Sequence, residues 1–459
     1  MTRSDTVNFI SAGMVSPKKR DHQLARRQLY LNYGALSLAT ILKLEGYDCI
    51  LKHGEHYSPE LILEDLQNAG RFPSKHPLML SIPSFYALSW AQRFCQLAKL
   101  ADPGCRIIVG GRWVVGPDPE WLKSLLPEAD ELAPGLSEPY IKDLLNSRPT
   151  LRREAVSTPQ FILDHTIIDG FENYQPSIEA SRGCGMGCNF CEERDIPIEK
   201  LKHPALLAHS LATIQNQYNG EEIRPYFQSS MFLPTKKWAE SLYHEIEKTG
   251  RKISWRTETR VDAMEPETLA TLSAAGLRVI DLGLETASPK QIEAMNKTSK
   301  PDRYLRKAED LLEACHKNGV MAKVNILLYA GEDHRTLYET QNWLDKNAKY
   351  IKGVSVGPVV AYGPPKTVQA LLEDWKKKGA SAVDKNSSIQ SGITKMHLSG
   401  EIDAVAAEAI SLDLSRRYMD SESYFSLKGF SYYPRSYRRI DFDVDVSKSD
   451  KEKLPFRVD

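Results

Sequence analysis

The chain has 459 residues, with 60 lysines and arginines balanced by 60 aspartates and glutamates, 41% hydrophobic residues and seven cysteines. That length suits about two or three domains. The neutral balance offers no bulk field to a polyanion such as nucleic acid, and no apolar run approaches the roughly 18 residues that span a bilayer.

The first 150 residues alternate short apolar runs with amphipathic stretches: strands are expected at 7–11, 48–52, 77–82 and 106–109, and helices at 33–45 and 90–101. This repetition predicts an α/β fold, a doubly wound parallel sheet whose ligand site lies at the carboxyl ends of its strands. The pattern loosens over 151–172, read as a linker. From 173 to 365 a second series begins at Ser177, with strands at 225–228, 253–258, 279–284, 322–328 and 353–360 and helices at 235–248, 265–275 and 302–318, closed by Gly250, Gly276 and Gly319. Six such units make a partial (β/α)6 barrel with its active face at the strand carboxyl ends. Beyond Tyr362 the strand pattern disappears, and 366–459 is expected to be a small helical and irregular region, helical at 404–418.

Cysteine usage points to a metal site. Three cysteines fall within eight residues, whereas Cys49, Cys95, Cys105 and Cys315 are scattered through apolar segments as small core residues, so a disulfide framework is not expected. The amino terminus has no long apolar stretch with a cleavage site, and a reducing cytoplasm is the expected setting. The segment from Arg182 to Cys191 reads RGCGMGCNFC and puts Cys184, Cys188 and Cys191 on a glycine-rich loop directly after a strand. Glycines let such a loop curl so that three sulfurs face one centre. Soft thiolates without a fourth nearby ligand favour an iron–sulfur cluster with one iron open. A closed zinc site needs that fourth ligand, and the nearest histidine along the chain, His203, is twelve residues beyond Cys191.

This CxxxCxxC spacing, with an aromatic before the last cysteine, resembles the radical S-adenosylmethionine (SAM) superfamily. The resemblance implies a [4Fe-4S] cluster on the three cysteines. Its open iron binds SAM, which on one-electron reduction gives a 5′-deoxyadenosyl radical. Phe190 is then implied as an adenine contact. Gln228 and Ser229 occupy the second-strand position, where the family usually has acidic residues for the SAM amino group. Arg260 resembles the third-strand arginine, Glu285 and Thr286 the fourth-strand end that receives the ribose, and Asn325 the fifth strand.

The first 150 residues resemble the cobalamin-binding domain that precedes the radical SAM domain in one class of these enzymes. The match lies in Ser81, Pro83, Ser84 and Tyr86, in Gly110, Gly111 and Arg112, and in Gly135 and Glu138, which the resemblance places around the cofactor's nucleotide tail. The Asp-x-His-x-x-Gly motif that supplies a histidine to cobalt in many cobalamin proteins is absent, and His22 and His53 are not in that arrangement. Many radical SAM relatives bind the corrinoid without it. The methylthiotransferases that modify transfer RNA carry three amino-terminal cysteines, a set that Cys49, Cys95 and Cys105 do not resemble.

The resemblance covers about residues 5–365. It implies a cobalamin-dependent methyltransferase acting on an unactivated carbon or phosphorus centre of a small metabolite or natural-product intermediate, with a reductase or flavodoxin-type electron donor. Alternatives are a cobalamin-dependent cyclase or ring rearrangement without methyl transfer, a radical SAM enzyme whose first domain binds no cobalamin, and a regulatory module without turnover. The carboxyl-terminal tyrosines and arginines, Tyr433 and Arg435 foremost, are substrate candidates for pairing with a carboxylate or phosphate, or else form a lid. Tyr362, at the end of the last strand, is a further candidate for the site.

Overall fold

The computed structural model describes residues 3–17, 20–111, 119–146, 160–384, 386 and 391–458. Five strands, β1 (Val7–Ser11), β2 (Cys49–His53), β3 (Leu78–Ser81), β4 (Ile107–Gly110) and β5 (Glu131–Leu132), form a parallel sheet in the order β2-β1-β3-β4-β5. The two-residue β5 goes beyond the four strands expected. Every residue of β1 and the first three of β3 and β4 are buried, as strands covered on both faces must be. Successive side chains feed opposite cores. Phe9, Met79 and Ile108 pack with helices Tyr33–Leu44 and Ile141–Leu145, whereas Ile10, Leu80 and Val109 pack with helices Pro59–Asn68 and Leu88–Ala101. Asn32 and Ser58 cap two of these helices. The strand order reverses at β1 and β3, opening a crevice beyond their carboxyl ends.

The second sheet contains β6 (Ser177–Glu179), β7 (Tyr226–Gln228), β8 (Trp255–Arg260), β9 (Leu277–Glu285), β10 (Met321–Leu328) and β11 (Gly353–Pro358), all parallel and in sequential order. Its edge strands β6 and β11 do not pair, so the partial barrel is open on one side. On β10, Ala322, Val324, Ile326 and Leu328 are buried in the outer core, and the alternate residues Lys323, Asn325 and Leu327 face the lumen half-buried. Helix Ala404–Arg417 covers the free edge of β11: Ser411 Oγ donates to the Val356 carbonyl at 2.8 Å, and the Val356 amide donates to Ser415 Oγ at 3.3 Å. These bonds satisfy backbone groups that an edge strand would leave open.

The carboxyl-terminal region is more ordered than the sequence pattern indicates. Strands β12 (Val360–Tyr362), β13 (Ser381–Ala382) and β14 (Ile393–His397) form a small antiparallel sheet, contrary to the expectation that strands end with the barrel. Runs of two to five residues are too short to show a period. Helices Pro365–Lys377, Ser421–Gly429 and Arg439–Lys448 add to the expected one. Tyr424, Leu427, Tyr433, Phe442 and Phe456 form a core of their own that packs on Val279 in the amino-terminal half of β9, closing the foot of the barrel.

Candidate functional site

The cysteine loop leaves β6 and turns sharply. Gly183 has φ +71°, and a Cβ there would collide with the Pro197 carbonyl. The Cys184 amide donates to the Ile196 carbonyl at 3.0 Å, Cys191 to Cys188 at 3.0 Å and Asn189 to Met295 at 2.9 Å, so the loop is fixed at both ends and in the middle. Burial, with repulsion between neighbouring thiols, raises Cys184 and pushes Cys191 up to about 11. Cys188 is buried, and Arg260 Nη1 donates to its sulfur at 3.6 Å. Among the described residues, no three His, Cys, Asp or Glu side chains converge on one ion-sized point, as a mononuclear zinc site would require. A cluster takes each thiolate on a different iron and accepts more widely spread sulfurs. Three thiols on one loop, one of them bonded to a guanidinium, fit that anionic group.

Around the loop, Arg260 also bonds Asp262 and the Lys297 carbonyl. Lys297 is a residue that sequence reasoning missed. Its side chain is buried, its ammonium lies 3.2 Å from Glu285 Oε1 and from the Gly283 carbonyl, and it sits 5.8 Å from the centres of the Phe190 and Tyr304 rings. Burial works against its charge, but Glu285 prevails and holds the lysine above its ordinary range. Glu285 adopts a left-handed φ of +66°, an uncommon backbone state for a residue with a side chain. Phe190, Arg260 and Glu285 are thus brought together. Asn325 faces the lumen from β10, level with Gly283. Gln228 donates to Ser177 at 3.2 Å, and Ser229 pairs with Ser181 at 2.7 Å. Thr286 turns into the protein, where its hydroxyl meets Thr340 at 3.0 Å.

A cavity of about 1270 Å³ runs from the carboxyl ends of the first sheet to the open side of the barrel. Ser81, Pro83, Ser84, Tyr86, Gly110, Gly111, Gly135 and Glu138 all line it; Arg112 lies outside the described residues. Arg182, Gly183 and Glu193 of the cysteine loop form a second wall, and Lys323 and residues 354–358 a third. Tyr30, Ser411, Tyr424 and Lys428 close it from the termini. The first and second walls are joined by a half-buried ion triad, in which Arg182 meets Glu138 at 2.5 Å and Glu179 at 2.6 Å.

The cavity exceeds the roughly 300–1,000 Å³ of an ordinary small-molecule site. Two polar atoms in its lining residues, His53 Nδ1 and Arg182 Nη1, are buried without a hydrogen-bond partner. His53 Nε2 accepts from the Asn32 amide at 3.0 Å, which places the proton on Nδ1 and makes it a donor, not a metal ligand. Gly111, with φ +105°, brings the β4 turn against β3; a Cβ there would lie 2.6 Å from the Ile82 carbonyl. A large cavity with spare donors and a closely approaching glycine turn fits a corrinoid held without histidine.

Both carboxyl-terminal substrate candidates lie elsewhere. Tyr433 is buried within the core at the barrel foot, and Arg435 pairs with Glu221 at 2.7 Å and covers the Tyr218 ring, ahead of the amino-terminal end of β7. These two side chains serve packing, whereas Tyr424 and Lys428 of the same tail line the cavity. Tyr362 belongs to β12, packs against the core of the first domain and does not line the cavity.

Residues 178–344 match the Radical SAM superfamily. The bacteriochlorophyllide d C-8(2)-methyltransferase of Chlorobaculum tepidum is 24% identical over 232 residues, 47% of this chain and 49% of that protein. The chain spans 37% and 49% of the length of the curated relatives it matches. Among solved structures, the radical SAM methyltransferase TsrM from Kitasatospora setae, with tryptophan substrate and a SAM analogue bound, superposes with a TM-score of 0.59 at 14% identity, covering 83% of this chain and 79% of that one. The cobalamin-dependent enzyme OxsB, with aqua-cobalamin and SAM bound, gives 0.59 at 14% identity over 97% of this chain and 66% of its own. The chain therefore carries a radical SAM domain over residues 178–344, within the overall fold shared by TsrM and OxsB.

Proposed function

We propose that the protein is a cobalamin-dependent radical SAM methyltransferase acting on a carbon or phosphorus centre of a small molecule. One observation carries this reading: a single cavity is lined both by the glycine turns of the first sheet and by Arg182, Gly183 and Glu193, which flank the three cysteines at the open side of the barrel. A radical on substrate has to meet a methyl donor within van der Waals reach, and a shared chamber allows it. The methyltransferase names of the curated relatives support the same reading.

Cys184, Cys188 and Cys191 would hold the cluster, and Phe190, Arg260, Glu285 and Asn325 would contact SAM. Residues Ser81 to Tyr86, Gly110, Gly111 and Gly135 would border the corrinoid. When bound, the cluster supplies the electron that cleaves SAM and the corrinoid supplies the methyl group. Arg260 donates to the Cys188 sulfur and would place positive charge beside the cluster. The Arg182 triad fixes the distance between the two cofactor walls, and the helix over β11 helps exclude water from the open side. The electron would come from a flavodoxin-type donor in a reducing cytoplasm; no helix among the described residues is long and apolar enough to cross a membrane.

The test is an anaerobic incubation of the reconstituted protein with cobalamin, SAM and a low-potential reductant. Both 5′-deoxyadenosine and S-adenosylhomocysteine are expected. Deoxyadenosine alone, with cobalamin retained, would replace methyl transfer by a rearrangement chemistry.

A further inference from the structure

Alternation along β8 sends Arg256, Glu258 and Arg260 into the barrel lumen and Trp255, Thr257 and Thr259 toward the helices. Arg256 is wholly buried and Arg260 is 7% exposed, yet Glu258 between them is exposed. Since β8 is an interior strand flanked by β7 and β9, that exposure opens onto a void inside the lumen.

Register places Glu258 beside Asp281 on β9, and Asp281 beside Lys323 on β10. Asp281 binds both nearby cations: Arg256 is bonded to it, and Lys323 lies 2.7 Å from it. Glu258 forms no ion pair among the described residues; its enclosure within the barrel and the Asp281 charge raise its pKa above the ordinary carboxylate range, against the opposing influence of Tyr226, Lys323 and Arg256. The groups facing it are Tyr226 from β7, Arg256 from β8, Asp281 from β9, Lys323 from β10 and Tyr432 from the carboxyl-terminal segment. Glu258 sits two residues, about 6.6 Å, along the strand from Arg260, which touches the Cys188 sulfur. Lys323, in the same layer, also lines the large cavity, so one member of the layer borders the chamber.

We propose that Glu258 is a substrate-anchoring carboxylate and that the group it receives is a protonated amine. This rests on the radical SAM reading of the same chamber. A carboxylate short of positive charge, facing a void one layer below the cluster, matches an ammonium donor by charge and by hydrogen bonding.

The test uses the reconstituted holoenzyme and two matched probes, benzylamine and benzyl alcohol, titrated by calorimetry. The wild type should prefer the amine by at least about tenfold, Glu258→Asp should keep the preference, and Glu258→Gln should abolish it. The change that SAM causes in the cluster's electron paramagnetic resonance spectrum should survive in Glu258→Gln. An equal response to both probes in the wild type, or an undiminished amine preference in Glu258→Gln, would overturn the proposal. Loss of the SAM-induced spectral change in that variant would also overturn it, by assigning Glu258 to SAM. Failure of the wild type to assemble a cluster would instead remove the underlying radical SAM reading, and iron analysis reports that separately.

Discussion

The two parallel sheets are built from similar strand–helix units but expose different parts of themselves to the shared cavity. In the first, β1 is buried throughout and β3 and β4 are buried except at their last residue; both faces carry helices, and the cavity is met mainly by the carboxyl-terminal halves of the strands and the turns that follow them. In the second, side chains alternate between helices and lumen, and the lumen-facing residues Arg256, Glu258, Arg260, Lys323 and Asn325 are polar, Lys323 being the one that lines the cavity. One sheet offers a glycine-turned edge suited to the flat approach of a large cofactor. The other offers a charged interior face that holds small groups in register. Closing a sheet part-way converts a face that would need helices into a lined chamber.

Substitutions that separate edge from face put this contrast to the test. The largest effect is expected from changing Cys184, Cys188 and Cys191 together to alanine, which should take bound iron from about four per chain to near zero and remove the brown chromophore. Survival of a full cluster signal would show that the thiols on this loop are not its ligands.

On the interior face, Asp281→Asn leaves Arg256 and Lys323 without their shared counter-ion in a buried site. It should lower stability by about 3–5 kcal/mol, read from denaturant unfolding of the apoprotein. Glu332, in the loop after β10, tests the opposite arrangement. Its carboxyl is 2% exposed, bonded to Thr336 and the Tyr329 amide, and pushed up to about 7 by burial. The native state then holds its proton more tightly than the unfolded chain, so stability falls as pH rises from about 4.5 to 7. Glu332→Gln should flatten that slope, a gain of up to about 3 kcal/mol at neutral pH. A slope identical in the variant would assign the pH dependence elsewhere. The smallest change in stability belongs to the edge: Gly111→Ala should cost about 1–2 kcal/mol for its left-handed backbone, plus the contact with Ile82. It should reduce cobalamin retention while bound iron stays unchanged.

What the sequence disclosed follows the same division. The cysteine triplet and the glycine turns are local in the chain, so their spacing was readable, and the cavity gathers the eight described residues matched to the first domain. Strand–helix alternation likewise gave both sheets, with the third barrel strand displaced from 253–258 to Trp255–Arg260. Lys297 was hidden because it lies in a polar stretch, Asn296 to Lys300, and only the return of that loop to β9 buries it against Glu285. Glu258 left a fainter signal, a charge at every second residue of 256, 258 and 260, which marks a polar strand face. Tyr433 and Arg435 drew attention through composition, but long-range contacts, Tyr433 in one core with Leu24 and Val279 and Arg435 paired with Glu221, are invisible in a local pattern and hold both away from the cavity.

The most direct measurement is anaerobic reconstitution with iron, sulfide and hydroxocobalamin, followed by iron and cobalt analysis and an absorbance spectrum. A chamber shared by two cofactors predicts about four irons and one cobalt per chain. Four irons with no retained cobalt would contradict it, leaving a radical SAM domain beside a cavity that serves another ligand.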